Sequence, residues 1–201
     1  MRYDALLPAL ALLLAVAPPV RAAVLLPGDL GDIARGASVI VRGTVVDVRS
    51  GWVDGSRRRV QTIVTLQVAE TFKGSPGGRV SFQVPGGVLG RYRSVTIGAP
   101  AFSTGEEVIV CLGGKAPALP YVLGLSQGVF RVRRDDASGQ RVVVTPVLLA
   151  DPQSAGAVRR GDPARRPVSL DQFGVTLRSA LATARPAREP AAREIRGGTH
   201  Q

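Results

Sequence analysis

Short β-branched segments separated by turn signals recur along most of this chain, and they constrain its fold more than any other feature of the sequence. Residues 58–72 (RRVQTIVTLQVAETF) show the pattern most clearly. Apolar residues and threonine alternate from Val60 to Val68, with Gln61 and Gln67 on the other face. Because successive side chains of a strand point to opposite faces, this period of two predicts a half-buried β-strand.

Further strand-like runs are bounded by clusters of Gly, Pro, Asp and Ser, and Asp54-Gly55 predicts a hairpin turn. These runs are residues 38–48, 79–87, 93–100, 106–112, 121–132 and 142–149. Gly43, Gly124 and Gly128 lie inside them and predict bulges or sharp bends. About six or seven short, bent strands are typical of a small closed β-barrel, so the predicted fold class is mainly β.

Two helices are expected beside the barrel. Asp29 can cap a short N-terminal helix whose apolar residues share one face. Residues 168–184 predict a C-terminal helix, because Ser169 and Gln172 have the capping-box spacing and an apolar stripe follows. This stripe predicts that the second helix docks on the barrel.

The beginning of the chain has the three-part pattern of a secretory signal peptide. Arg2 lies in a short charged start, an apolar stretch runs from Ala5 to Ala17, and Val20 and Ala22 precede the expected cleavage site. The apolar stretch is shorter than the ~20 residues of a membrane span, and no later segment reaches that length. We expect residues 1–22 to be removed and the protein to be periplasmic or secreted.

The rest of the chain divides by composition. Residues 23–150 form the predicted β-barrel domain, and residues 151–167 are a polar linker rich in Pro, Gly and Arg. After the helix at 168–184, residues 185–201 have the composition of a disordered basic tail.

The segment GLSQG (residues 124–128) matches G-x-S-x-G, which raises Ser126 as a candidate catalytic serine. A nucleophile elbow needs a strand, a sharp turn and a helix, whereas here a strand-like run follows Gly128 directly. The single histidine, His200, lies in the predicted tail, and the two lysines, Lys73 and Lys115, lie in or beside turns. A structural role for the glycines is therefore favoured, and no catalytic residue is assigned.

Other chemical motifs are incomplete. VPGGVLG (residues 84–90) has the glycines of a phosphate-binding loop but no Gly-Lys-Ser/Thr, and Asp135 and Asp136 lack the spacing of a calcium loop. Glu106 and Glu107 are adjacent on a predicted strand, so they point to opposite faces. Cys111 lies in an apolar run and is expected to be buried. We therefore expect no cofactor and no bound metal.

The chain is strongly basic, with a formal net charge of +11. Arg57, Arg58 and Arg59 form a run beside the predicted hairpin and are a candidate patch for an anionic surface. Aromatic residues make up 4% of the chain, and no nucleic-acid-binding motif is present, so we expect no nucleic-acid partner.

Five segments occur in an order that resembles a group of uncharacterised exported bacterial proteins. They are ASVIVRGTVVDV, TLQVAETFKG, VPGG, GAPAFSTGEEVIVCL and VLGLSQGVFRV, within residues 29–133. The arrangement is also distantly similar to the netrin-like module of the tissue inhibitors of metalloproteinases. That resemblance implies an OB-type barrel with helices. It transfers no inhibitory residue, because this chain has one cysteine and the expected mature chain begins at Ala23.

These observations favour an exported, non-enzymatic β-barrel that binds a partner, such as a secreted protease or a component of the cell envelope. Two alternatives stay open. One is a serine hydrolase that uses Ser126. The other is binding to anionic envelope surfaces through Arg57–Arg59 and the basic tail.

Overall fold

The computed structural model describes residues 29–53, 57–146 and 167–183. The predicted signal peptide (1–22), the linker (151–167) apart from its last residue, and the tail (185–201) lie outside the described residues. The Asp54-Gly55 turn also lies outside them.

The described residues form a mainly β fold with one short helix before the strands and one longer helix after them. In chain order the elements are α1 (Leu30–Gly36), β1 (Val39–Trp52), β2 (Val60–Lys73), β3 (Arg79–Pro85), β4 (Gly87–Leu89), β5 (Tyr92–Ser94), β6 (Glu107–Gly113), β7 (Tyr121–Val122), a 3₁₀ turn (Leu125–Gly128), β8 (Val129–Arg134), β9 (Arg141–Val144), β10 (Val168–Ser169) and α2 (Leu170–Ala182).

The strand pairings of the main sheet run in a ring. Strand β1 pairs antiparallel with both β2 and β6, and β2 pairs antiparallel with β3. Strand β7 completes the ring, because it pairs parallel with β3 and antiparallel with β6. Strands β8, β9 and β10 continue outward from β6, while β4 and β5 form a separate two-stranded hairpin.

Strand β6 separates two hydrophobic cores. Val108, Val110 and Leu112 pack with β1, β2 and β3 inside the ring. Ile109 and Cys111, which point to the opposite face, pack beneath α1 and α2. Because both faces are covered, this strand reads as an unbroken apolar run rather than an alternating one.

The long β1–β2 pair is bent at irregularities in its register. One of them falls between Arg42 and Gly43. A Cβ atom on Gly43 would lie 2.4 Å from the backbone oxygen of Gln67, so the two strands approach closely there. The bend predicted at this glycine is confirmed.

Both helices begin at the predicted caps. The side chain of Asp29 accepts a hydrogen bond from the backbone N–H of Asp32 at 2.8 Å. The hydroxyl of Ser169 accepts one from the N–H of Gln172 at 3.2 Å. Each cap satisfies a backbone donor that has no partner within its helix.

Two strand predictions are wrong in detail. The segment 121–132 is not one strand, since β7 ends at Val122 and the 3₁₀ turn precedes β8. The segment 93–100 is mostly loop, because β5 ends at Ser94. The described residues hold ten strands rather than six or seven. Four of these, β4, β5, β7 and β10, have two or three residues. Strands this short contain too few residues to show a hydrophobic period of two.

None of the helices in the described ranges has the length and apolar character that crossing a membrane requires.

Candidate functional site

Ser126 lies in the 3₁₀ turn and lines a cleft of about 330 Å³. Its backbone N–H donates to the carbonyl of Gly98 at 2.9 Å. The described lining of this cleft contains one ionisable side chain, Arg131, which pairs with Glu106 and donates to the carbonyl of Ala101 at 2.8 Å. A guanidinium is not a general base, so this cleft does not support Ser126 as a nucleophile.

Neither of the two lysines, Lys73 and Lys115, lines this cleft. The Lys73 ammonium donates to the carbonyls of Ala34 and Arg35 at 3.0 and 2.9 Å, at the end of α1. His200 lies outside the described residues.

The glycines of GLSQG have a conformational role. Gly124 has φ +67° at the start of the 3₁₀ turn. A Cβ atom on Gly128 would lie 2.1 Å from the carbonyl oxygen of Leu123. The chain therefore needs glycine at both positions to turn from β7 into β8.

The two adjacent acids are each bound to a different arginine. Glu107 accepts a hydrogen bond from Arg42 at 2.6 Å, and Glu106 pairs with Arg131. Burial lowers the pKa of Arg42, but its hydrogen bonds to Glu107 and Glu70 raise it more, so the net shift is upward. Burial and the nearby charge of Arg133 lower the pKa of Arg131. Glu107 is the first residue of β6 and joins it to Arg42 of β1 and Arg141 of β9. Glu106 precedes the strand, so the prediction that both acids lie on one strand is wrong.

The Asp135–Asp136 segment forms the β8–β9 hairpin turn. Asp135 Oδ2 accepts hydrogen bonds from the backbone N–H and the hydroxyl of Ser138, at 3.0 and 2.6 Å. These bonds hold the pKa of Asp135 below its ordinary value. Within the described ranges, no group of three or more His, Cys, Asp or Glu side chains is placed to hold a metal ion.

Arg57, Arg58 and Arg59 are exposed at the end of the β1–β2 hairpin. The carbonyl of Arg59 accepts a hydrogen bond from the N–H of Val53 at 2.9 Å, which fixes the backbone of this end. None of the three guanidinium groups pairs with a carboxylate of the described residues.

The β4–β5 hairpin packs against this same end of the β1–β2 pair. The N–H of Gly86 donates to the carbonyl of Val60 at 3.0 Å, and the Thr62 hydroxyl donates to the carbonyl of Gly86 at 2.8 Å. The rings of Trp52 and Tyr92 meet edge to face, with centroids 5.2 Å apart. The two hairpins therefore form one structural unit.

Large apolar side chains are exposed on the β4–β5 hairpin and the turn after it. Their exposed fractions are 60% for Val88, 48% for Tyr92, 73% for Val95 and 83% for Ile97. Arg91 and Arg93 lie between them, also exposed and without a carboxylate partner among the described residues. We call these six residues together with Arg57, Arg58 and Arg59 the hairpin-end surface.

Two clefts flank the base of the β4–β5 hairpin, with volumes of about 430 and 460 Å³. Arg93, Val88 and Val95 line the first, and Arg59 lines the second. Both clefts are lined by Ser94 and Thr96, which places Arg93 and Arg59 around the base of this hairpin. Volumes of this size are typical of binding pockets.

Part of this surface is predicted by the sequence. The run Arg57–Arg59 is a predicted patch, whereas Val95 and Ile97 are predicted to lie in a strand of the barrel. β-branched residues in a short run predict burial, and the structure instead leaves them exposed.

Comparison of the chain with models of known protein families finds no match, and comparison with curated proteins finds none either.

Proposed function

We propose that this protein is an exported, non-enzymatic binding module that recognises a component of the cell envelope through its hairpin-end surface. The observation that carries the proposal is the exposure of Val88, Tyr92, Val95 and Ile97 beside five arginines that have no carboxylate partner in the described part of the chain. Val88, Arg93 and Val95 line one cleft together, and clusters of exposed apolar side chains on a folded domain mark interaction sites.

The architecture proposed with this function is an OB-type barrel. The ring of pairings through β1, β2, β3, β7 and β6 supports it, because the OB-fold is a five-stranded barrel. In an OB-type barrel, the β1–β2 hairpin end and the β4–β5 hairpin would lie at one mouth of the barrel. Loops at that mouth bind ligands in OB-folds. The signal-peptide pattern of residues 1–22 supports export.

Retention of envelope material by the immobilised protein tests the proposal. We expect a component of a cell-envelope extract to be retained by the wild-type chain and lost on the substitution Val95→Asp. The matched control is Val175→Asp, because Val175 is 64% exposed on α2, which packs on the opposite side of β6. Equal retention by all three proteins would show that the hairpin-end surface is not the binding site.

A further inference from the structure

We infer that the partner of the hairpin-end surface is a bilayer rich in anionic phospholipid, onto which the protein docks peripherally. This inference rests on the proposed function, since it names the partner of the same surface. It draws on three features: the placement of the apolar side chains, the unpaired arginines and the arrangement of the aromatic rings.

Among the large apolar side chains of the described residues, the most exposed one lies at the corner of a turn. The N–H of Ala99 donates to the carbonyl of Thr96 at 3.1 Å, and Gly98 has φ +79°, which closes a four-residue turn. Ile97 is its second residue and is 83% exposed. With Val95 at 73%, it offers branched apolar groups that can enter the boundary between headgroups and acyl chains without any change of backbone.

The arginines beside these groups have charge available for lipid phosphates. Segments 51–60 and 85–102 carry five arginines and one aspartate. Arg93 and Arg59 each line a cleft at the base of the β4–β5 hairpin, and neither pairs with a described carboxylate. Each arginine near an anionic surface strengthens binding by about fivefold.

The aromatic rings fit an interface better than a nucleic-acid platform. The ring planes of Trp52 and Tyr92 meet at 68°. The guanidinium of Arg91 lies over the ring of Tyr92, 5.3 Å from its centroid. Stacked bases need open ring faces, whereas at a membrane interface the amphipathic rings of Tyr and Trp sit at the level of the headgroups.

Intrinsic fluorescence gives a direct assay, because Trp52 is the single tryptophan of the chain and contacts Tyr92. The probe is a set of vesicles made from phosphatidylcholine alone or from equal parts of phosphatidylcholine and phosphatidylglycerol. We expect a blue shift of the emission and co-sedimentation with the anionic vesicles, both weakened by added salt. We expect little or no binding to the neutral vesicles.

Two substitutions separate the apolar and cationic contributions. Ile97→Asp and Arg93→Ser are each expected to weaken binding to anionic vesicles about fivefold or more. Their matched controls, Val175→Asp and Arg133→Ser, are expected to stay within about twofold of the wild type, because both residues are exposed on other elements. Circular dichroism verifies folding, and Ile97→Ser replaces Ile97→Asp if that variant unfolds.

The outcomes distinguish the inference from the function on which it rests. Equal binding to both kinds of vesicle, equal loss in the control variants, or displacement by single-stranded nucleic acid would overturn the lipid assignment. If anionic vesicles are not bound but Val95→Asp still loses an envelope component, the lipid assignment fails and the proposed function stands. If neither binding occurs, both fail.

Discussion

Single glycines decide how this chain turns between β7 and β8. In the sequence, Gly128 completes a G-x-S-x-G pattern and draws attention to Ser126. In the structure, a Cβ atom at Gly128 would collide with the backbone of Leu123. The glycine of this pattern is therefore explained by a close approach of two backbone segments. That approach requires glycine at position 128, whichever residue lies at position 126.

Gly128→Ala is expected to lower the free energy of unfolding by about 1–3 kcal/mol, since the added methyl group forces β7 and β8 apart. Gly51→Ala is the matched control. A Cβ atom there has nothing within 4 Å, so its effect should stay within about 0.5 kcal/mol. Urea denaturation of the two variants measures the difference, and equal midpoints would contradict the steric explanation.

Some residue-level features could be predicted and others could not. The caps Asp29 and Ser169 were predictable, because capping depends on residue type and a fixed local spacing. The 3₁₀ turn was not, because Leu125 adopts φ +54°, a conformation that its residue type disfavours and that only the surrounding structure imposes.

At the scale of elements, α2 attaches to the sheet through its predicted apolar stripe. Phe173 is 3% exposed, and its ring lies 4.9 Å from that of Phe130 on β8, centroid to centroid. Arg178, on the same helix, donates to Glu70 of β2 at 2.6 Å. Since an exposed ion pair contributes little, the aromatic contact should dominate the docking.

Phe173→Ala is expected to destabilise the protein by about 3–5 kcal/mol, because it leaves a cavity beneath the helix. The matched control is Val175→Ala, which truncates a side chain that is 64% exposed and should change stability by about 0.5 kcal/mol or less. Chemical denaturation compares them. A loss below about 1 kcal/mol for Phe173→Ala would mean that the helix contributes little to the core.

The β4–β5 hairpin shows why the candidate site was predicted only in part. Its strands have three residues each, so neither completes a pattern, and residues 93–100 were predicted as a strand of the barrel instead. The exposure of Val95 and Ile97 depends on contacts distant in sequence, from Trp52 and Thr62. The longer strands β1, β2, β3 and β6 were predictable because their period or apolar run is set locally.

At the scale of the whole molecule, strand β6 is common to the two hydrophobic cores. Cys111 lies on β6 and is 0% exposed. Burial raises the pKa of its thiol to about 12, and the charge of Lys73 opposes this shift. A thiol in this environment stays protonated at neutral pH and is inert. Its reaction with an alkylating reagent therefore requires the fold to open.

The Cys111 thiol should make stability depend on pH in the alkaline range. Its folded pKa of about 12 exceeds the ordinary value of 9.0. The unfolded thiol therefore ionises first, and the stabilising contribution of the protonated thiol is complete below pH 9 and is lost as the pH rises toward 12. The difference in unfolding free energy between wild type and Cys111→Ala should shrink over that interval, because other groups titrate alike in both proteins.

Denaturation at several alkaline pH values measures this difference, with alkylation of the native protein as a second readout. A constant difference, or alkylation as fast as in the unfolded chain, would show that the thiol is not shielded.

The two buried faces of β6 also limit how the sequence of this protein can drift. In β2, Gln67, Ala69 and Thr71 are exposed and can accept polar exchange over evolutionary time. From Val108 to Leu112, each position belongs to one core or the other, so every substitution must fit an existing interior. We therefore expect amino-acid substitutions to accumulate in the hairpins rather than in β6. Substitutions in the hairpins can alter binding specificity while the two cores stay unchanged.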